Sequence, residues 1–103
     1  MNRGEIRWYK FKKPDKMRPV LILTRDSIIE FLNEITIAPI TTTVRDIPSE
    51  LFLPRSVGMP QDCAINFDHI QTVSKSKIGS LITKLPSTYF NDAGVAIKFA
   101  LEL

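Results

Sequence analysis

Apolar residues in this chain fall mostly in short runs with a two-residue period, broken by proline, glycine and charge. Residues 5–11 put Ile6 and Trp8 on one face and Arg7, Tyr9 and Phe11 on the other, and their β-branched and aromatic content predicts a strand. Residues 12–16 hold Pro14 and Asp15 and read as a turn. From Pro19 to Leu23 the chain is continuously apolar, so residues 19–24 are expected to form a strand buried on both faces. Arg18 stands at its mouth, biased toward extended backbone by the proline that follows. Asp26 or Thr24 would cap a short helix through Phe31, with Ile28, Ile29 and Leu32 as its apolar positions. A third strand is expected over residues 35–40, where Pro39 predicts an edge position or a bulge.

Strands are also predicted over residues 50–53, 63–67, 70–73 and 81–85, bounded by turn signals at Pro48, at residues 54–60 and at Gly79. Cys63, Ile65 and Phe67 alternate with their neighbours. One long helix follows, with Ser87 as N-cap and Phe90, Ala93, Ile97, Ala100 and Leu101 spaced at three and four residues. Gly94 weakens it, and close packing against the sheet would account for a glycine there. Many short strands with a terminal helix predict a compact antiparallel sheet or barrel, mainly β with minor α, as a single domain over residues 1–103.

Charge changes the picture only once it is located. Lys10, Lys12, Lys13, Lys16 and Arg18 face a single acid, Asp15, and give +4 in nine positions, whereas the whole chain carries +3. The basic character is therefore local, as a polyanion partner would require, although a solvated lysine-rich turn has the same composition. With one His and one Cys, Cys63 and His69, the chain offers no usual transition-metal ligand set and no disulfide. No apolar run approaches the length of a membrane span, and the polar start is unlike a signal peptide, so the expected compartment is the cytoplasm. A Ser/His/Asp hydrolase would have to run through His69, which has no flanking nucleophile elbow.

Polar residues remain at the strand ends: Arg18, the run Thr41, Thr42 and Thr43, and the stretch Asn66-Phe67-Asp68-His69. An arginine stabilises charge building on a phosphorane, a hydroxyl bonds a phosphate oxygen, and RNA brings its own nucleophile in the 2′-hydroxyl. The same residues would also serve as ordinary loop anchors.

The order of the pieces is itself informative. Arg3-Gly4-Glu5-Ile6, Arg18-Pro19-Val20-Leu21-Ile22-Leu23-Thr24 after a basic loop, Ile37-Ala38-Pro39-Ile40-Thr41-Thr42-Thr43, Asp68-His69-Ile70-Gln71-Thr72 and Ile97-Lys98-Phe99-Ala100-Leu101 together resemble the MazF/PemK toxins of bacterial toxin–antitoxin pairs. The resemblance spans essentially the whole chain. It implies a small SH3-like barrel of the PemK/CcdB type, a homodimer, and a metal- and cofactor-independent endoribonuclease that cuts single-stranded RNA, chiefly messenger RNA. It implies Arg18 and Thr41 as catalytic positions, with Lys12, Lys13, Lys16, Thr42, Thr43 and Asp68 on the RNA. It also implies a cognate antitoxin whose acidic, initially disordered tail competes for the basic groove.

Departures from the family pattern include a short first loop without glycines, Arg7 where an aromatic is frequent, and Asn66 where some relatives carry an arginine. Trp8 and Tyr9 are candidates for a stacking surface, at least one of them being expected in the core. Two alternatives share the basic loop without needing Arg18 or Thr41: a CcdB-like inhibitor of DNA gyrase, and a nucleic-acid-binding barrel without catalysis.

Overall fold

A computed structural model describes residues 1–12 and 16–103. Strands β1 (Glu5–Lys10), β2 (Met17–Ile22), β3 (Glu34–Thr41), β4 (Glu50–Leu53), β5 (Cys63–Asn66), β6 (Gln71–Ser74) and β7 (Ile78–Lys84) join in one sheet of order β4-β5-β3-β2-β1-β7, with β6 also on β3. Helix α1 (Asp26–Ile29) fills the β2–β3 connection, and α2 (Phe90–Leu101) ends the fold. Every strand pair is antiparallel. None of the described helices is long and apolar enough to cross a membrane.

β3 is the spine. Its first half pairs with β6 through Ile37↔Gln71 and its end pairs with β5 from Ile40↔Ile65 onward, while β2 lies along its other flank. The expectation of an edge position at Pro39 is therefore corrected: Pro39 is interior, opposite Val20. It falls between the last β6 pair and the first β5 pair, where that flank has no ladder for a missing N–H to break. Two-residue alternation then divides the core. Val20, Ile22, Ile35 and Ile37 join Tyr9, Ile29 and Val73 on one face, while Leu21, Ala38 and Ile40 join Leu53, Ile65 and Phe67 on the other. The second half of β2, Val20 to Ile22, is thus buried on both faces, as its unbroken apolar run predicts.

Smaller corrections follow from tertiary contacts. Neither Thr24 nor Asp26 caps α1; the Thr24 hydroxyl accepts the Thr36 N–H at 2.7 Å and ties the end of β2 to β3, and the Asp26 carboxylate accepts from the Arg3 N–H. Ser87 lies in a 3-10 turn (Ser87–Tyr89), and α2 starts at Phe90 with no side-chain cap. Only Ala93 and Ala96 of α2 are fully buried, and Phe90, Val95, Phe99 and Leu101 are exposed. Gly94 is not in close packing: an added Cβ would meet nothing within 4 Å.

Gly58 does need to be glycine. Its φ is +106°, and a Cβ there would stand 2.6 Å from the Thr83 hydroxyl, which itself donates to the Val57 carbonyl at 3.1 Å. This close approach fixes the β4–β5 connection on β7 and so sets Met59, Pro60 and Gln61 beside the mouth of β2.

Candidate active site

Register brings the two principal candidates together. β2 and β3 pair as Ile22↔Ile37, Leu21↔Ala38 and Val20↔Pro39. Carried two residues further, that register sets Arg18 beside Thr41. Both residues line two recesses and so form their common wall. Arg18 is exposed, and Tyr9 of β1 is its neighbour on the other flank.

The Thr41 hydroxyl is half-buried at the last position of β3 and accepts the Thr43 N–H at 3.1 Å. That bond occupies an oxygen lone pair and leaves the hydroxyl proton free to donate. The arrangement is therefore a cation on a strand, unpartnered among the described residues, beside an oriented O–H donor, the pair that a phosphate oxygen accepts from.

The two recesses differ in chemistry. The smaller, about 200 Å³, is lined by Trp8, Met17, Pro19, Met59, Pro60 and Gln61. The larger, about 400 Å³, is lined by Lys12, Arg45, Asn66, His69 and Gln71, with Phe11 at its rim. One wall suits the flat face of a base and the other suits phosphate and polar edges.

Tyr9 is in the core, edge-on to Phe11 with ring centroids 4.7 Å apart, and half-buried Trp8 lines the smaller recess. Arg7 is occupied elsewhere: its Nε donates to Glu5 at 2.7 Å and its Nη1 to the Gly79 carbonyl at 2.9 Å, joining β1 to β7. Burial pushes the Glu5 carboxyl up, but the Arg7 hydrogen bond, the Asn2 backbone and nearby positive charge outweigh it and hold Glu5 below its ordinary range.

The remaining sequence candidates are spread out. Lys12 lines the larger recess and Thr42 the smaller, whereas Lys16 and Thr43 are exposed and line neither. Lys13 lies outside the described residues. Asp68 lines neither recess, and its carboxylate accepts the Ser49 hydroxyl at 2.6 Å.

Its neighbours do reach the site. The Asn66 Oδ1 accepts the Asp68 N–H at 3.0 Å, which caps the 3-10 turn Phe67–His69 and orients the amide. Asn66 Nδ2 then faces His69 Nδ1 at 3.3 Å. With the amide nitrogen donating, Nδ1 accepts, and the matching His69 tautomer carries its proton on Nε2. Exposed His69 is thus an outward hydrogen-bond donor in the recess.

Arg45, Gln71 and the Met59-Pro60-Gln61 segment were not marked by sequence. They come from the β3–β4 connection, the start of β6 and the β4–β5 connection, which meet only in the fold. Thiol chemistry is disfavoured: burial, with the nearby Asp62 charge, pushes Cys63 up to about 11 and keeps it protonated at neutral pH. Among the described residues no group of three or more His, Cys, Asp or Glu lies together that would hold a metal ion.

Residues 2–101 match the family described as PemK-like, MazF-like toxins of type II toxin–antitoxin systems. Endoribonuclease MazF3 of Mycobacterium tuberculosis is 37% identical over 89 residues, which is 86% of each chain. The solved Mycobacterium tuberculosis toxin MazF-mt6 superposes with a TM-score of 0.89 at 33% identity, over 96% of this chain and 97% of that one. A mycobacterial endoribonuclease solved in complex with its cognate antitoxin shares the fold, with a TM-score of 0.88 at 23% identity over 100% of this chain and 96% of that one. A family match over residues 2–101, with relatives in sequence and in fold along most of the chain, means that this chain belongs to the MazF/PemK family of endoribonuclease toxins from type II toxin–antitoxin systems.

Proposed function

We propose that this endoribonuclease toxin, one domain over residues 1–103 acting in the cytoplasm, cuts single-stranded messenger RNA without a metal ion, with the scissile phosphate held between Arg18 and Thr41. The observation that carries this reading is the β2–β3 register that sets those two residues side by side between an apolar and a polar recess. In the reaction the 2′-oxygen bonds to phosphorus and the bond from phosphorus to the 5′-oxygen breaks. The 2′-hydroxyl proton passes to solvent, and water protonates the departing 5′-oxygen. The products are a 2′,3′-cyclic phosphate and a 5′-hydroxyl.

Arg18 remains cationic throughout and stabilises the charge that builds on the phosphorane oxygens, while the Thr41 hydroxyl donates to one of them. Trp8 offers a face for the neighbouring base, and Lys12 draws the backbone toward the larger recess. Lys13, Lys16, Thr42, Thr43 and Asp68 belong to the same RNA path in this reading, with Thr43 and Asp68 acting through the loop bonds they make.

The partners follow from the same surface. An antitoxin with an acidic tail, ordered on binding, would compete with RNA for Lys12, Arg18 and Arg45. Apolar Val95, Phe99 and Leu101, exposed along α2, support a second copy of the chain as a further partner.

The test is an RNA oligonucleotide incubated with the purified protein in excess chelator. Cleavage should proceed, leave a cyclic phosphate end, and stop when a single 2′-deoxynucleotide replaces the ribonucleotide at the cut position. Cutting of the deoxy-substituted strand, or complete dependence on added divalent metal, would overturn the mechanism.

A further inference from the structure

The larger recess contains a cation that the cleavage reaction does not use. Arg45 lies in the β3–β4 connection, and Glu50 at the start of β4 grips it twice. Glu50 Oε1 accepts the Arg45 backbone N–H at 2.9 Å, and Oε2 accepts from Nη1 at 3.0 Å. The Glu50 side chain is only 2% exposed while that of Arg45 is 51% exposed. A surface ion pair between two mobile side chains orders neither of them well. Here the carboxylate is buried, and it holds both the main chain and the guanidinium of one residue. A guanidinium carries five N–H donors, so the bond from Nη1 leaves most of them available. Arg45 lines the recess together with Lys12 and Arg18, and among the described residues no aspartate or glutamate lines it.

An anion site with pre-set donors, adjoining the wall that takes the scissile phosphate, suits the next phosphate along an RNA strand. We propose that Arg45, held in place by Glu50, binds the RNA phosphate adjacent to the scissile one. The assignment rests on the cleavage reading above. Arg45 touches substrate, and Glu50 is a positioning residue acting through it. Guanidinium-to-phosphate contacts carry no base information, so this subsite serves affinity and register, leaving sequence choice to other residues.

The probe is a single-stranded RNA made uncleavable by one 2′-deoxynucleotide at the cut position. It is prepared unmodified and with the phosphate on either side of the scissile one replaced by a neutral methylphosphonate. Arg45→Ala is expected to weaken binding of the unmodified strand about tenfold and to lower the slope of log affinity against log salt by about 0.7, the value for one lost contact on a single strand. One of the two methylphosphonates should weaken wild-type binding to a similar degree and cost Arg45→Ala nothing further. In cleavage the same variant should raise KM with kcat little changed.

Arg45→Ala leaves the Glu50 carboxylate buried without its partner, so Arg45→Ala/Glu50→Gln is measured beside it. The double variant should melt at a higher temperature than Arg45→Ala yet bind RNA equally weakly. Glu50→Gln alone should weaken binding less than Arg45→Ala does, and should add nothing to it. Wild-type affinity and salt slope in Arg45→Ala, or a methylphosphonate penalty that persists in that variant, would overturn the proposal. So would a loss confined to an acidic peptide with RNA binding intact. If the wild-type protein itself neither binds nor cuts RNA, the parent reading falls; if it cuts and Arg45→Ala matches it, only this assignment falls.

Discussion

The two ends of β2 do different work within six residues. At the entrance, Met17 and Arg18 are exposed and Pro19 is half-buried, and this end forms the wall of the candidate site. At the exit, Val20, Leu21 and Ile22 are at most 2% exposed, and the last two line an apolar hollow of about 290 Å³ under α2. Arg18 has no partner among the described side-chain hydrogen bonds and ion pairs, whereas Leu21 belongs to the main core cluster. An exposed cation held on a rigid strand is free to serve a ligand, and the rigidity comes from the apolar half of the same strand. The comparison makes a separable claim: changes at the entrance should remove activity and spare the fold, and changes at the exit should do the reverse.

The largest expected effect is at the entrance. Arg18→Ala removes the cation that meets charge developing on the phosphorane, a role worth about 10³-fold or more in kcat. Its melting temperature should stay near that of the wild type, because the residue is exposed. Cleavage measured against concentration of folded protein, with thermal melting alongside, checks both halves. A variant that lost stability in proportion to activity would erase the division of β2.

The exit gives the mirror result. Leu21→Ala deletes a buried side chain beside an existing hollow and should cost about 2–5 kcal/mol of stability. Each kcal/mol moves Tm by roughly 4–8 °C in a domain of this size. Below its lowered midpoint the folded fraction should cut RNA at the wild-type rate. A large fall in kcat per folded molecule would show that the two ends are coupled.

Within the entrance, Trp8 sharpens the contrast between the two recesses. Trp8→Ala removes a stacking face worth about 1–3 kcal/mol per base and should leave the salt slope of RNA binding unchanged, because no phosphate contact is lost. Trp8→Phe should recover most of the affinity. A slope that fell as it does for Arg45→Ala would place backbone rather than base in the apolar recess.

These differences bear on what sequence can reveal. The strands were readable because period-2 patterning and unbroken apolar runs report directly on which faces are covered, and both faces of β2 are. The positions of Arg18 and Thr41 at strand ends were readable as well, one ahead of Pro19 and the other at the end of a β-branched run. Arg45 was not, since its position depends on Glu50 reaching back across an irregular connection to bind it, and no periodicity encodes that. Asn66 and His69 are a similar case: Ser49 holds the carboxylate of Asp68 between them, and the turn they share brings those two, rather than Asp68, to line the larger recess. The apolar face expected of α2 is met in its middle, where Ala93, Ile97 and Ala100 pack on the core, and not at Phe90 and Leu101, which are exposed. Spacing identifies an amphipathic helix, but how deeply each position is covered depends on the contacts available, and Ala93 and Ala96 go deepest.

Gly94 yields the smallest effect and a sharp sign. It lies inside α2, where glycine costs conformational entropy, and a methyl group added there meets nothing within 4 Å. In the isolated chain Gly94→Ala should therefore raise stability by about 0.5–1 kcal/mol, seen as a higher Tm with cleavage unchanged. Gly94 also lines the hollow at the exit of β2. A fall in Tm that grows with protein concentration would mean that another copy of the chain fills that space and needs the missing methyl group. Melting curves recorded across a dilution series decide between the two signs, and with them whether the exit end of β2 is finished by this chain alone or by its neighbour.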